Sequence, residues 1–188
     1  MRLWWPWRPK ESKFGMSANE LLLLGLLDQQ EMHGYKLHEF LEHQLSFVSD
    51  LKRPTAYRTL EQLLRRGFVA RVSERSGRRP ERMVYRITPT GRARFERLLR
   101  EQLASAERVI HQGNIALLFW GRIPENERVH LLERRRRGVE EQRSMLAPIV
   151  DAHREGTAVR LVLEHDLAHL DTEISWLTKT IDDLKEKL

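Results

Sequence analysis

PTAYRTLEQLLRRGFVARVSERSGRRPERMVYRITPTGR, residues 54–92, is the stretch that decides the fold. Proline is tolerated in a first helical turn and glycine ends a helix readily, so Pro54 and Gly67 bracket a predicted helix. Its two sides differ in kind. Ala56, Leu60, Leu63 and Leu64 form an apolar side, while Thr55, Arg58, Thr59 and Gln62 form a polar one at i, i+3, i+4 and i+7. Phe68 to Arg75 and Arg82 to Thr88 then alternate as strands do, with Met83, Tyr85 and Ile87 on one face. SGRRP between them is a Gly/Pro turn, which predicts a hairpin with an arginine-rich tip. Thr88 followed by Pro89 is an N-cap with proline at the first helical position, so a helix should run on through GRARFERLLREQL.

Working outward, Ser17 or Asn19 caps a helix through LLLLGLLDQQ. Another should follow His33 and Gly34, through YKLHEFLEHQL, with Tyr35, Leu37, Phe40, Leu41 and Leu45 as its buried stripe. Residues 1–16, MRLWWPWRPKESKFGM, show no period; they read as an extended N-terminal arm, or as an extension ahead of a natural start at Met16. Downstream, NIALLFWGRIP predicts a short apolar helix ended by Pro124. Glu125 to Arg154 predicts a longer polar helix that Pro148 should kink or divide. Thr157 caps a last helix reaching almost to Leu188. In it Leu163, Leu167, Leu170, Ile174, Leu177, Ile181, Leu184 and Leu188 follow an unbroken alternation of four and three, a coiled-coil-like seam expected to form a dimer interface. The expected organisation is therefore an arm at 1–16, a winged module at 17–100 and a helical dimerisation domain at 104–188.

Composition narrows the function. With 40% hydrophobic and 32% charged residues, the 188-residue chain has enough apolar material for a core. The longest apolar run, Leu21 to Leu27, is far too short to span a bilayer, and the N-terminus lacks the apolar stretch of a secretory signal. There are no cysteines, so disulfides, thiolate metal sites and cysteine nucleophiles are excluded. A cytoplasmic protein is expected. The net charge of +6 is unevenly placed: residues 52–100 carry 15 Lys and Arg against 4 Asp and Glu, whereas residues 104–188 carry 13 against 15. A basic block beside a near-neutral, leucine-rich half points to a polyanion contact and an assembly module.

The order helix, helix, helix, hairpin is that of a winged helix-turn-helix, whose third helix enters the major groove of double-stranded DNA while the hairpin tip touches the backbone. Arg58 has the chemistry to pair with guanine, Gln62 with adenine, and Thr55 and Thr59 offer a hydroxyl and a methyl. Arg53, Arg75, Arg78, Arg79 and Arg82 are candidate phosphate contacts, which position without reading sequence.

Three elements carry a family resemblance. HGYKL at 33–37 is similar to the HGYeI element of PadR-type bacterial transcriptional regulators, PTAYRTLEQLLRRGFV at 54–69 to their recognition helix, and VYRITPTGR at 84–92 to their strand-to-helix junction. FWGRIPENERVHLLERR and EISWLTKTIDDLK resemble the virulence-activator-like C-terminal helices of the longer subgroup, so the likeness covers roughly residues 20–187. Pro54 stands where the family commonly has glycine, and the Trp-rich arm has no counterpart. The resemblance implies a mainly α fold with a small β-hairpin wing, and a homodimeric DNA-binding protein, often a repressor and frequently released by a small aromatic or drug-like molecule. It adds Tyr35 to the DNA contacts.

For a ligand, the sequence offers Phe119, Trp120 and Trp176, although aromatics at helix contacts are usually plain core. His165 and His169 are i, i+4, but without a third ligand in the motif they read as surface histidines, so no metal or other cofactor is expected. HEFLEH at 38–43 spaces its histidines five apart and is not the zinc-protease motif. Arg134 to Arg137 point around a helix axis and read as solvated. Neither a phosphate loop, a nucleophile elbow nor a paired-carboxylate motif occurs, so an enzyme is not indicated. The rival reading is a helical protein-interaction adaptor that keeps a winged fold without using DNA, which has no need of Arg58 and Gln62 beside an arginine-tipped hairpin.

Overall fold

The computed structural model describes residues 14–33, 36, 39, 51–74, 82–106, 111 and 113–186. The chain divides between residues 107 and 108 into two compact units. Of the predicted helix over 35–45 only Lys36 and Glu39 are described, both helical, and the hairpin tip lies outside the described residues.

In the first unit, α1 (Phe14–Gln29) leads into a short strand β1 (Met32–His33), then α2 (Arg53–Arg65), β2 (Val69–Glu74), β3 (Arg82–Ile87) and α3 (Pro89–Leu103). The expected hairpin is present, with Val69 opposite Ile87 and Glu74 opposite Arg82. It is not alone: β1 pairs antiparallel with β3, Met32 opposite Tyr85, giving a three-stranded sheet ordered β1-β3-β2. Met32 is nearly inaccessible, so this strand anchors the wing to the core. That core gathers Leu23, Leu24, Leu26 and Leu27 of α1, Ala56, Leu60 and Leu63 of α2, Val69, and Leu98 of α3. Each fully buried leucine contributes about 2–3 kcal/mol by leaving water.

Two polar devices fix how these elements meet. At the base of the wing, Gly67 ends α2 with a φ of 72°, a left-handed conformation that glycine adopts without a steric penalty. The Thr88 hydroxyl donates to the Gly67 carbonyl at 2.7 Å and accepts from the Gly91 amide at 3.0 Å, so the predicted cap also ties α3 to the end of α2. The Thr90 hydroxyl donates to the same carbonyl at 3.1 Å. Gly91 passes so close to the Phe68 carbonyl that a Cβ there would collide with its oxygen. The second device is Glu20 of α1, buried and paired at 2.7 Å with both Arg66, just past α2, and Arg94 of α3.

The second unit contains α4 (Asn114–Leu118), a 3₁₀ turn (Trp120–Arg122), α5 (Glu125–Ala152) and α6 (Ala158–Lys185). Pro148 lies inside α5 and does not divide it; the helix runs on to Ala152, within one turn of the proline. Gly156, with φ 76°, turns the chain back, and Thr157 caps α6 by accepting from the Arg160 amide at 3.3 Å. The two long helices form an antiparallel hairpin around Leu132, Leu177 and Ile181, flanked by Trp120, Val129, Val139 and Leu184. Ion pairs set its register: Glu133 with Lys185 at 2.7 Å, Arg135 with Glu173 at 2.6 Å, and Arg143 with Asp171. The hydrogen bond and charge of Lys185 hold the Glu133 carboxyl below the usual range. Of the four-arginine run, Arg135 and Arg136 are thus drawn into pairs, Arg136 with Glu140 at 3.4 Å, while Arg134 and Arg137 stay exposed.

The same chemical change should act oppositely at two glycines. Gly91→Ala forces backbone apart and should cost about 3 kcal/mol in denaturant unfolding. Gly138→Ala, inside α5 with nothing near its added methyl, should gain about 0.5–1 kcal/mol. Glu20→Ala strands Arg94 without its carboxylate and should also cost about 3 kcal/mol.

Candidate nucleic-acid interface

The apolar side of α2 is nailed down by Ala56, Leu60 and Leu63, all buried. What then points outward is the row Pro54, Arg58, Glu61 and Arg65, every member exposed. This row is rotated from the polar side read in the sequence. Arg58 is where it was expected. Thr55 and Gln62 are half-buried, and Gln62 turns toward Glu20, Leu63 and Arg66 around a cavity of about 30 Å³. Thr59 is a correction: it is only 7% exposed, and its hydroxyl donates back to the Thr55 carbonyl at 2.9 Å, so it has no hydrogen left for a base.

At the head of the helix, the exposed Arg53 guanidinium lies 5.7 Å from the Tyr57 ring centroid. Lys52 and, on β2, Arg71 are exposed as well. The backbone of Arg82 belongs to β3, but its side chain, like Tyr35, Arg75, Arg78 and Arg79, lies outside the described residues. Elsewhere in the unit arginines are neutralised: Arg86 by Glu31, Arg92 by Asp28, and Arg66 and Arg94 by Glu20, each at 2.7 Å. Arg58 and Arg65 have no acidic partner among the described residues. Among the described residues of the unit, Arg58 and Arg65 are thus uncompensated cations on the outward side of α2, beside a sheet whose β2–β3 pair forms a wing.

The profile of the transcriptional regulator PadR-like family matches residues 23–97. Over those residues the chain is similar to PadR-like regulators. Solved structures extend the likeness beyond it. Bacillus subtilis PadR in complex with operator DNA is 20% identical, with a TM-score of 0.73 over 89% of this chain and 99% of that one. The same regulator in complex with p-coumaric acid is 20% identical, with a TM-score of 0.71 over 92% and 98%. A PadR-like transcriptional regulator from Bacillus cereus is 22% identical, with a TM-score of 0.62 over 90% and 99%. At such identities the likeness establishes the fold of both units. No curated protein matches the chain.

Beyond the matched residues, the heptad row of α6 does meet another helix, but that helix is α5 of the same chain. Leu163, Leu177 and Ile181 are buried within the single chain, and Leu184 packs on the Leu132 cluster. Within the single chain these residues serve as intramolecular core; a seam demands a helical partner and does not specify whose. Leu167, Leu170 and Ile174 are half-buried. The aromatic trio has three different surroundings: Trp120 joins the Leu132 cluster under the Arg128 guanidinium, Trp176 is partly exposed beside Arg135, and Phe119 is largely in solvent. The apolar surface that sequence reading missed is on α4, where Ile115, Leu118 and Phe119 are 62%, 74% and 64% exposed. Its signal was the run of apolar residues in NIALLFW, too dense for one buried face of so short a helix.

In the outward row Arg58 and Glu61, one donor fork and one acceptor three residues apart, are the candidates for reading bases. On a duplex the protein selects, Arg58→Ala should cost about 1–3 kcal/mol and relax preference at a guanine. Glu61→Gln should relax preference at a cytosine while strengthening binding to random duplex, because an anion leaves the surface that meets phosphates. Thr59→Val should leave selection unchanged. Selection from a randomised duplex library checks all three.

Proposed function

We propose that this chain is a homodimeric transcriptional repressor whose PadR-like domain binds a two-fold symmetric DNA operator. The observation that carries this reading is the outward row of α2, where Arg58 and Arg65 stand exposed without acidic partners among the described residues, next to a wing. A groove-entering helix supplies base contacts, and flanking cations such as Arg53, Lys52 and Arg71 hold phosphates and fix register. The arginine-rich tip, with Arg75, Arg78, Arg79 and Arg82, belongs to the phosphate set by its composition, and Tyr35 by family resemblance. That Bacillus subtilis PadR has been solved with operator DNA supports the reading by likeness of fold.

One such domain reads too short a site for selectivity, so two must be held together. We assign that task to a surface of the C-terminal unit that the single chain leaves open. Ile115, Leu118 and Phe119 are the best candidates, since large apolar side chains clustered in solvent mark interaction surfaces. A small-molecule effector belongs to the same proposal, supported by the p-coumaric acid complex of the Bacillus subtilis regulator. On this chain Trp176 with Arg135, and Phe119 and Trp120 with Arg128, combine aromatic faces with guanidinium groups, which suits a planar aromatic carboxylate. The chemistry is binding; no catalytic role is assigned to any residue.

Binding should be strongly salt-dependent. With roughly 6–10 phosphate contacts per dimer, affinity for a duplex from the protein's own upstream region should fall about 10³–10⁵-fold between 50 and 200 mM salt. An affinity flat across salt overturns the DNA reading. In sedimentation, Leu118→Glu with Phe119→Glu should shift the dimer toward monomer and weaken operator binding, while random-duplex binding persists. If that variant stays dimeric, the interface lies elsewhere on the unit.

A further inference from the structure

We propose that His165 and His169 on α6 form a two-imidazole chelate for a divalent transition-metal ion, a site separate from the DNA-facing helix. One turn apart on the helix, both histidines are exposed, and their Nε2 atoms lie 3.3 Å from each other. Their ring centroids are 4.5 Å apart and the rings are nearly perpendicular, at 87°.

That separation matches a chemical requirement. Two nitrogens bound at about 2.0–2.1 Å with a tetrahedral angle between them are held about 3.3–3.4 Å apart. In the metal-free chain the two nitrogens share a hydrogen bond at this distance, and a cation replacing its proton finds them at the spacing it imposes. An α-helix supplies this geometry because residues i and i+4 lie over one another.

The ligand type selects the ion. Imidazole favours copper, nickel and zinc, with copper highest in the divalent series, while magnesium and calcium require oxygen ligands. Among the described residues no third His, Asp or Glu joins the pair. Of the two acids flanking His165, Glu164 is engaged with Arg160 at 2.7 Å, and Asp166 is not grouped with the pair. The site is therefore open: the protein gives two ligands, and water or an added small ligand completes the shell. Affinity should accordingly fall below that of a closed four-ligand site.

The test is titration of the full chain with Cu²⁺ and, separately, Zn²⁺, followed calorimetrically, with electron paramagnetic resonance of the copper form. One ion per chain is expected, with the copper spectrum reporting two equivalent nitrogens. His165→Ala and His169→Ala should each weaken binding at least about tenfold, since a chelate becomes a single ligand. His130→Ala, at an exposed histidine of α5, should leave affinity unchanged. Both altered side chains are exposed, so circular dichroism should show the fold intact. Saturable binding that survives His169→Ala, or its loss with His130→Ala instead, overturns the proposal, as does the absence of saturable binding of either ion. None of these outcomes depends on DNA binding.

Discussion

The close passage of Gly91 over the Phe68 carbonyl is the constraint on which the N-terminal unit turns. Four things converge there: the end of α2, the first residue of the wing, the last residue of the wing and the first turn of α3. The Thr88 amide donates to Phe68 at 3.0 Å, and the Thr88 and Thr90 hydroxyls reach one residue further back to Gly67. Any side chain at position 91 would separate the two ends of the wing. Because they are locked, the hairpin cannot swing independently of the helix it follows. A reader of DNA needs that property, since a helix in the groove and a wing on the backbone must keep one register to add their contacts.

Glu20 completes the arrangement from the other side. A carboxylate buried between two guanidiniums is costly to desolvate, and its net contribution to stability is small unless geometry is good and the partners are kept. Here both bonds are short, and the partners come from two different elements, so α1 gauges the placement of α2 against α3. The consequence reaches the surface. With Gln62 and Thr59 turned toward Glu20 and the core, the outward row of α2 falls to Arg58, Glu61 and Arg65.

Much of this was legible in sequence because it rests on local chemistry. Pro54 and Gly67 bracket α2, Thr88 and Thr157 cap their helices, and alternation marks β2 and β3. What was not legible has specific causes. The two-residue strand at Met32 is too short to show a period, and it exists only because β3 offers an edge. Thr59 reads as polar, yet a threonine can satisfy its hydroxyl on the carbonyl four residues back and be buried whole. That local bond rotated the apparent binding face by about one position. Pro148 reads as a break, but the helix needs only one turn beyond it, where few bonds remain to lose. The seam of α6 is covered in part by α5 of the same chain, and periodicity states that an apolar row must be covered and not which chain covers it.

The distribution of satisfied charge supplies the last step. In the C-terminal hairpin Arg135, Arg136, Arg143, Arg160 and Lys185 all find carboxylates within the unit, while Arg134 and Arg137 stay exposed. In the N-terminal unit the arginines near the core are likewise consumed by Glu20, Asp28 and Glu31. What is left over collects at α2, where hydrophobic packing on one side leaves cations no choice but the other. Exposed pairs screen each other cheaply, whereas like charges held together without partners repel and gain most from a polyanion that releases its own counterions on binding. The sequence count of basic residues could not distinguish these two fates, since paired and unpaired arginines look alike in composition. It is the pairing, read residue by residue, that separates the free cations of α2 from the paired arginines around them among the described residues.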